Sequence, residues 1–222
     1  MPYAGGTASA FNSWGERLPA HVDLLAVQYP GRQDRLGEPC VDDVHTLADN
    51  VAEALRQVDD RPMALFGHSM GASVAYEVAV RLQSGRGPSV ATLFVSGRQP
   101  PPRPDGPPEH LDDAAVEAEF RRYGWIDPSI MDDQGLRSLV LPSLVADYRA
   151  ALAYSREDVV RLPIELVAYA GTTDPGAALT DLLGWSEFTS VGASFQYFEG
   201  DHFYLVEREA ELIADMVRRL PG

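Results

Sequence analysis

The apolar run MALFG at residues 63–67 passes without a linker through His68, Ser69 and Met70 into the helix-period segment GASVAYEVAVRL. A strand that becomes a helix within so few residues, with Gly67 and Gly71 flanking the turn, constrains the backbone more tightly than any other feature of the chain. Four further short apolar runs, at 24–29 (LLAVQY), 92–96 (TLFVS), 164–170 (IELVAYA) and 195–198 (FQYF), alternate with helix-period segments. That alternation predicts an α/β fold, a mostly parallel sheet covered by helices on both faces. With 222 residues, 45% of them hydrophobic, the chain can bury one sizeable core.

Between the first two predicted strands, Val44, Leu47, Ala48, Val51, Leu55 and Val58 recur at helical spacing, with Asp42 and Asp43 at the start, where the helix dipole favours acids. Further helices are predicted over 70–83 and 205–220. The alternation breaks after Gln99, where QPPPRPDGPP is too rich in proline for the interior of a strand or helix. Helical patterns at 112–123 and 132–154 follow. We read 99–154 as a helical lid inserted into a core made of 1–98 and 155–222; an ordinary long crossover is the competing reading.

Charge removes several function classes. The formal net charge is −15, and all 18 basic residues are arginine, whereas nucleic acids and anionic membranes require clustered cations. No window holds the roughly 18 apolar residues of a membrane span, and MPYAGGTASA lacks the basic-then-apolar order of a signal peptide, so a soluble cytoplasmic protein is predicted. Cys40 is the single cysteine, which rules out an internal disulfide or a cysteine metal cluster. Without any lysine the chain has no G-x-x-x-x-G-K-[ST] phosphate loop, and neither a cofactor nor a metal is expected.

G-x-S-x-G between strand and helix describes a nucleophile elbow, which would hold Ser69 out above the sheet edge. A serine hydroxyl is a poor nucleophile at neutral pH and needs a histidine base oriented by a carboxylate, in the chain order Ser, Asp or Glu, His. His21 and His45 precede Ser69, His68 adjoins it and His110 lies in the lid; only His202, in FEGDHFYL, follows all the predicted strands. Asp174 in GTTDPG sits just beyond the strand 164–170, on the same sheet edge, with Asp201 and Asp181 as rivals. The oxyanion formed in acyl transfer needs backbone donors. Met70 supplies one by position, and Ala4, beside Gly5 and Gly6, is the candidate for the other.

PYAGG near the start, VQYPGRQDR, GHSMG, GTTDP, GDHFYL and the lid segment ending LVLPSLVADYRAALAY together resemble the type II thioesterases of polyketide and nonribosomal peptide synthases. The resemblance covers nearly the whole chain. It implies an α/β-hydrolase fold with a helical lid, a Ser69, Asp174, His202 triad, and an oxyanion hole from the Ala4 and Met70 amides. It further implies hydrolysis of acyl thioesters on the phosphopantetheine arms of acyl and peptidyl carrier proteins, clearing stalled or wrongly primed groups, by a monomer that docks its carrier transiently. Tyr123, Trp125, Met131 and Leu141 are candidate walls of the acyl chamber, or they simply pack the lid on the core. Two departures stand out. Relatives of this kind place an apolar strand immediately before the PYAGG loop, and Asp201 occupies a position where glycine is often found. Two rival functions remain at this level. An esterase or peptidase on free small molecules would prefer oxygen esters or amides, and a catalytically silent carrier-binding partner would leave Ser69 unlabelled by a fluorophosphonate.

Overall fold

A computed structural model describes residues 1–58, 61–83, 88–101, 112–123 and 126–220, apart from the side chains of residues 122, 123 and 179. Helix α1 (Val44–Leu55) leads into strand β1 (Met63–His68), helix α2 (Met70–Gln83) and strand β2 (Val90–Ser96). Three helices follow, α3 (Asp113–Tyr123), α4 (Pro128–Asp132) and α5 (Gln134–Ala153), before the chain returns as β3 (Glu165–Gly171). Helix α6 (Leu179–Leu182), strand β4 (Ala193–Phe198) and helices α7 (Tyr204–Glu207) and α8 (Glu209–Arg218) complete the order. The four strands form one parallel sheet in the order β1-β2-β3-β4, so every strand delivers its carboxyl end to the same edge.

Both faces of the sheet are buried, as near-continuous apolar strands require. Leu65, Leu93, Val95, Leu166, Ala168 and Ala170 share one apolar cluster with α1, α2, Trp185 and Phe188, and the alternate residues Phe94, Val167 and Tyr169 pack with Phe11, Trp14 and the Leu212, Ile213, Met216 stripe of α8. Helix α1 buries Val44, Leu47, Ala48, Val51 and Leu55 of the predicted stripe together with Ala52, while Val58, its last predicted member, lies beyond the helix and is half-buried against the same core. The helix starts on Asp43, whose carboxylate accepts from Thr46 N–H at 2.6 Å. The small residues of α2 let it lie close against both the sheet and α1, and it is buried along almost its whole length. The predicted 205–220 helix is divided at Arg208 into α7 and α8.

The predicted strand 24–29 does not form. These residues are in no ladder, and Leu24 and Leu25 are 38% and 55% exposed. An apolar run becomes a strand only beside another backbone, and the outer side of β1 at its carboxyl end is taken by Met1. Met1 N–H donates to the Phe66 carbonyl at 2.7 Å, and His68 N–H donates to the Met1 carbonyl at 3.3 Å.

Helices α3 to α5 stand between β2 and β3, where the insertion was predicted. Val116 and Phe120 of α3 and Leu144 and Val145 of α5 form their own apolar cluster, against which Ala4 and Leu141 pack. No helix among the described residues is long and apolar enough to cross a membrane.

Candidate active site

The elbow forms as its glycines require. A Cβ on Gly67 would lie 1.9 Å from the Gly71 carbonyl oxygen, and one on Gly71 would lie 2.3 Å from the Met1 carbonyl oxygen, so neither position can carry a side chain. Ser69 between them has φ of +55°, a left-handed conformation that costs a non-glycine residue on the order of 1 kcal/mol. Its own N–H donates to the Ser96 carbonyl at 2.8 Å, which ties the turn to the end of β2. Met70 opens α2, where the N–H groups have no acceptor within the helix and carry the positive end of its dipole.

Asp174 and His202 reach the same edge from the ends of β3 and β4. Their loops are held together by backbone pairing beyond the sheet. Thr172 N–H donates to the Phe198 carbonyl at 2.8 Å and Thr173 N–H to that of Gly200 at 2.9 Å. Gly171 permits the approach, because a Cβ there would lie 2.1 Å from the Asp201 carbonyl oxygen. The Asp174 carboxylate, fully buried, accepts from Gly176 N–H at 2.8 Å through Oδ1 and lies 2.9 Å from His202 Nδ1 through Oδ2. A carboxylate can only accept here, so Nδ1 carries the proton and Nε2 is left as the basic nitrogen. The rivals are occupied elsewhere. Asp201 accepts from Phe203 N–H at 2.8 Å, and Asp181 is exposed on α6.

His202 stands beside the elbow, its ring centre 4.8 Å from that of His68, the residue preceding Ser69. Glycine at position 97 (φ +61°) makes room for both, since a Cβ would come within 2.6 Å of His68 and 3.2 Å of His202. His68 is completely buried; its Nδ1 pairs with Ser96 Oγ at 2.9 Å, and Ser96 Oγ pairs with Tyr204 Oη at 2.6 Å. Burial, followed by the neighbouring His202 charge, holds the His68 pKa well below the usual imidazole value, so this second histidine is neutral. Nothing in the sequence distinguishes Ser96 or Tyr204 as its partners, because they come from separate elements.

The opening segment lies against the amino end of α2, as the Gly71 contacts with Met1 and Pro2 show. Tyr3 to Gly6 form a tight turn in which Gly6 N–H donates to the Tyr3 carbonyl at 2.8 Å and Gly5 has φ of +74°, the geometry of a type II turn. Gly5 N–H is already bonded to Asp147 of α5 at 2.8 Å. Of the turn's four amides those of Gly5 and Gly6 are therefore committed, and the Ala4 amide, like that of Tyr3, has no acceptor among the described hydrogen bonds. The Tyr3 ring packs edge-on against Phe203 and His68, at 4.9 and 5.9 Å between centres.

The candidate wall residues divide. Leu141 joins the apolar cluster of the inserted helices and Met131 is buried, both consistent with packing. The Tyr123 side chain and all of Trp125 lie outside the described residues. Cys40 is half-buried, with its thiol pushed up mainly by burial, the opposite of an activated cysteine. Sequence reasoning missed the buried Arg32–Asp147 pair that ties the opening turn to α5.

The thioesterase domain family matches residues 1–220. A thioesterase of Streptomyces venezuelae, PikA5, is 41% identical over 218 residues, covering 97% of this chain and 78% of the relative. Among solved structures, the RedJ thioesterase from the prodiginine biosynthetic pathway in Streptomyces coelicolor superposes with a TM-score of 0.87 at 36% identity, covering 99% of this chain and 83% of the other. The type II thioesterase BorB from the borrelidin biosynthetic cluster gives 0.86 at 35% identity, covering 99% and 90%.

Proposed function

The chain belongs to the thioesterase family, and on that premise we propose that Ser69, His202 and Asp174 hydrolyse acyl thioesters carried on phosphopantetheine arms. The observation that carries the reading is the 2.9 Å contact between Asp174 Oδ2 and His202 Nδ1, beside an elbow that holds Ser69 at positive φ. Ser69 Oγ adds to the thioester carbonyl while its proton passes to His202 Nε2. The oxyanion accepts from the Met70 and Ala4 amides. Collapse of the tetrahedral species expels the phosphopantetheine sulfur, which takes the proton from His202. Water then attacks the acyl-enzyme with His202 as base, so that thioester and water become carboxylic acid and free thiol. Asp174 stays ionised throughout and steadies the imidazolium.

The scheme uses only groups of the chain, and we assign it no cofactor. The kinship with thioesterases of polyketide and nonribosomal peptide pathways supports a role in removing stalled or wrongly primed acyl groups from carrier proteins, and we propose that the protein acts as a cytoplasmic monomer. Carrier proteins are in general acidic and this chain has a net charge of −15, so docking must rely on local arginines or apolar contact. Mass spectrometry of a panel of acylated carrier proteins before and after exposure to the enzyme tests both bond and acyl preference. A Ser69→Ala protein as active as the parent would remove the assignment.

A further inference from the structure

Arg32 and Asp147 form an ion pair whose side chains are only 5% and 0% exposed, although 115 residues separate them. Arg32 Nη2 donates to Asp147 Oδ1 at 2.7 Å and Nη1 donates to Oδ2, a two-pronged arrangement that fixes both planes. The pair also grips the opening turn from both sides. Asp147 Oδ2 accepts from Gly5 N–H at 2.8 Å, and Arg32 Nη1 donates to the Gly6 carbonyl at 3.2 Å. One turn earlier on α5, Leu144 closes over Gly5 so tightly that a Cβ there would lie 2.6 Å from its Cδ1. Ala4 itself packs into the apolar cluster of α3 and α5.

Packing α5 on the core would need no charge. A buried ion pair loses its hydration, and apolar residues of like volume hold such a contact at least as well. What the charged pair supplies is direction. Gly5 N–H belongs to the central peptide of the turn, the unit whose reversal separates type II from type I geometry. An acceptor on α5 holds that peptide one way round, and the guanidinium holds the Gly6 carbonyl beyond it.

We infer that Arg32 and Asp147 are positioning residues for the oxyanion hole, coupling the seating of α5 to the placement of the opening turn and so to where that turn holds the Ala4 N–H. With α5 seated, the turn presents Ala4 to the reacting carbonyl; with α5 displaced, Gly5 loses its acceptor and the donor loses its aim. Hydrolysis is then restricted to the state in which the inserted helices are closed on the core. The inference rests on the reading of Ala4 as an oxyanion donor.

The test compares Asp147→Asn, which keeps an oxygen acceptor for Gly5 N–H, with the apolar double variant Arg32→Met, Asp147→Leu, which leaves no charge unpaired. Hydrolysis of an acyl-N-acetylcysteamine thioester gives kcat and KM. Inhibition by an acyl trifluoromethyl ketone, which Ser69 converts to a tetrahedral oxyanion, reports the hole directly. The double variant is expected to fold and to lose about a hundredfold in kcat, the scale of one oxyanion donor, with inhibitor affinity falling in parallel and KM nearly unchanged. Asp147→Asn should fall between it and the parent in both readouts. A folded double variant with the parent's kcat and inhibitor affinity, or equal losses in the two variants, would overturn the inference. Ser69→Ala separates the two levels: if it remains active, the active-site reading fails, whereas an inactive Ser69→Ala beside a fully active double variant removes the coupling alone.

Discussion

The imidazoles of His68 and His202 lie with ring centres 4.8 Å apart and planes inclined by 42°, yet only His202 has a carboxylate partner. The other side chains against the His68 ring, Ser96, Tyr3, Phe203 and Tyr204, are uncharged, and the nearby Met1 amino group, like His202, disfavours a second positive charge there. In the unfolded chain His68 takes up a proton near the usual 6.5, whereas the folded protein keeps it neutral well below that value. The unfolded state therefore binds more protons over that interval, and stability falls as pH drops below about 6.5 until His68 is protonated in the fold. Urea unfolding between roughly pH 7.5 and 5 should show this limb flattened in His68→Gln. Parallel limbs in variant and parent would contradict the assignment of the effect to His68.

Asp174→Asn keeps the size of the side chain but can no longer hold the proton on His202 Nδ1. We expect kcat to drop by about 10⁴, the loss seen when a triad base is left in the wrong tautomer, with the unfolding midpoint nearly unchanged. Asp201→Asn, whose carboxylate caps the Phe203 amide instead, should stay within about tenfold of the parent.

Ser69 occupies a conformation that glycine adopts freely and alanine does not. Both Ser69→Gly and Ser69→Ala should be inactive, but the glycine variant should be more stable by about 1 kcal/mol in denaturant unfolding. An alanine variant of equal or greater stability would show that the elbow stores no strain.

Gly171→Ala places a methyl group 2.1 Å from the Asp201 carbonyl oxygen, at the point where the β3 and β4 loops close together. Because that contact sets the approach of Asp174 to His202, stability should fall by about 1–3 kcal/mol and kcat should fall more than KM rises. Thermal unfolding and steady-state kinetics on the folded protein measure the two effects separately.

Glu77 of α2, its side chain 1% exposed, collects Arg156, Tyr154 and Arg81 at 2.6, 2.8 and 2.6 Å, with His45 at 3.3 Å. Burial pushes its carboxyl up, but these donors together hold it below the usual 4.5. Its contribution is thus present above 4.5 and is lost as pH falls through the folded value. Glu77→Ala should cost about 3 kcal/mol near neutral pH and less in acid, by removing the carboxylate that pairs with Arg156 and one of the two that pair with Arg81, which keeps Asp49. Kinetic constants of the folded fraction should not change, since Glu77 ties the chain after α5 to the core rather than to the site.

The α1 stripe, the elbow glycines and the order Ser69, Asp174, His202 were legible because each depends on spacing along the chain or on steric demands within a few residues. Residues 24–29 looked like a strand on the same criterion and are not one, since a strand needs a neighbouring backbone that local apolarity cannot supply. The choice of Asp174 over Asp201 became a measurable contact only through the Gly171 approach and the paired loops after β3 and β4. The His68–Ser96–Tyr204 chain and the Arg32–Asp147 grip on the opening turn left no local signal, because their members come together across as many as 115 residues. Sequence by itself determined the helical stripes, four of the five predicted strands and the elbow that carries Ser69. Tertiary structure decided which carboxylate meets His202 and what holds the opening turn, since hydrogen bonds and buried charges are selected by distance in space and not by distance along the chain.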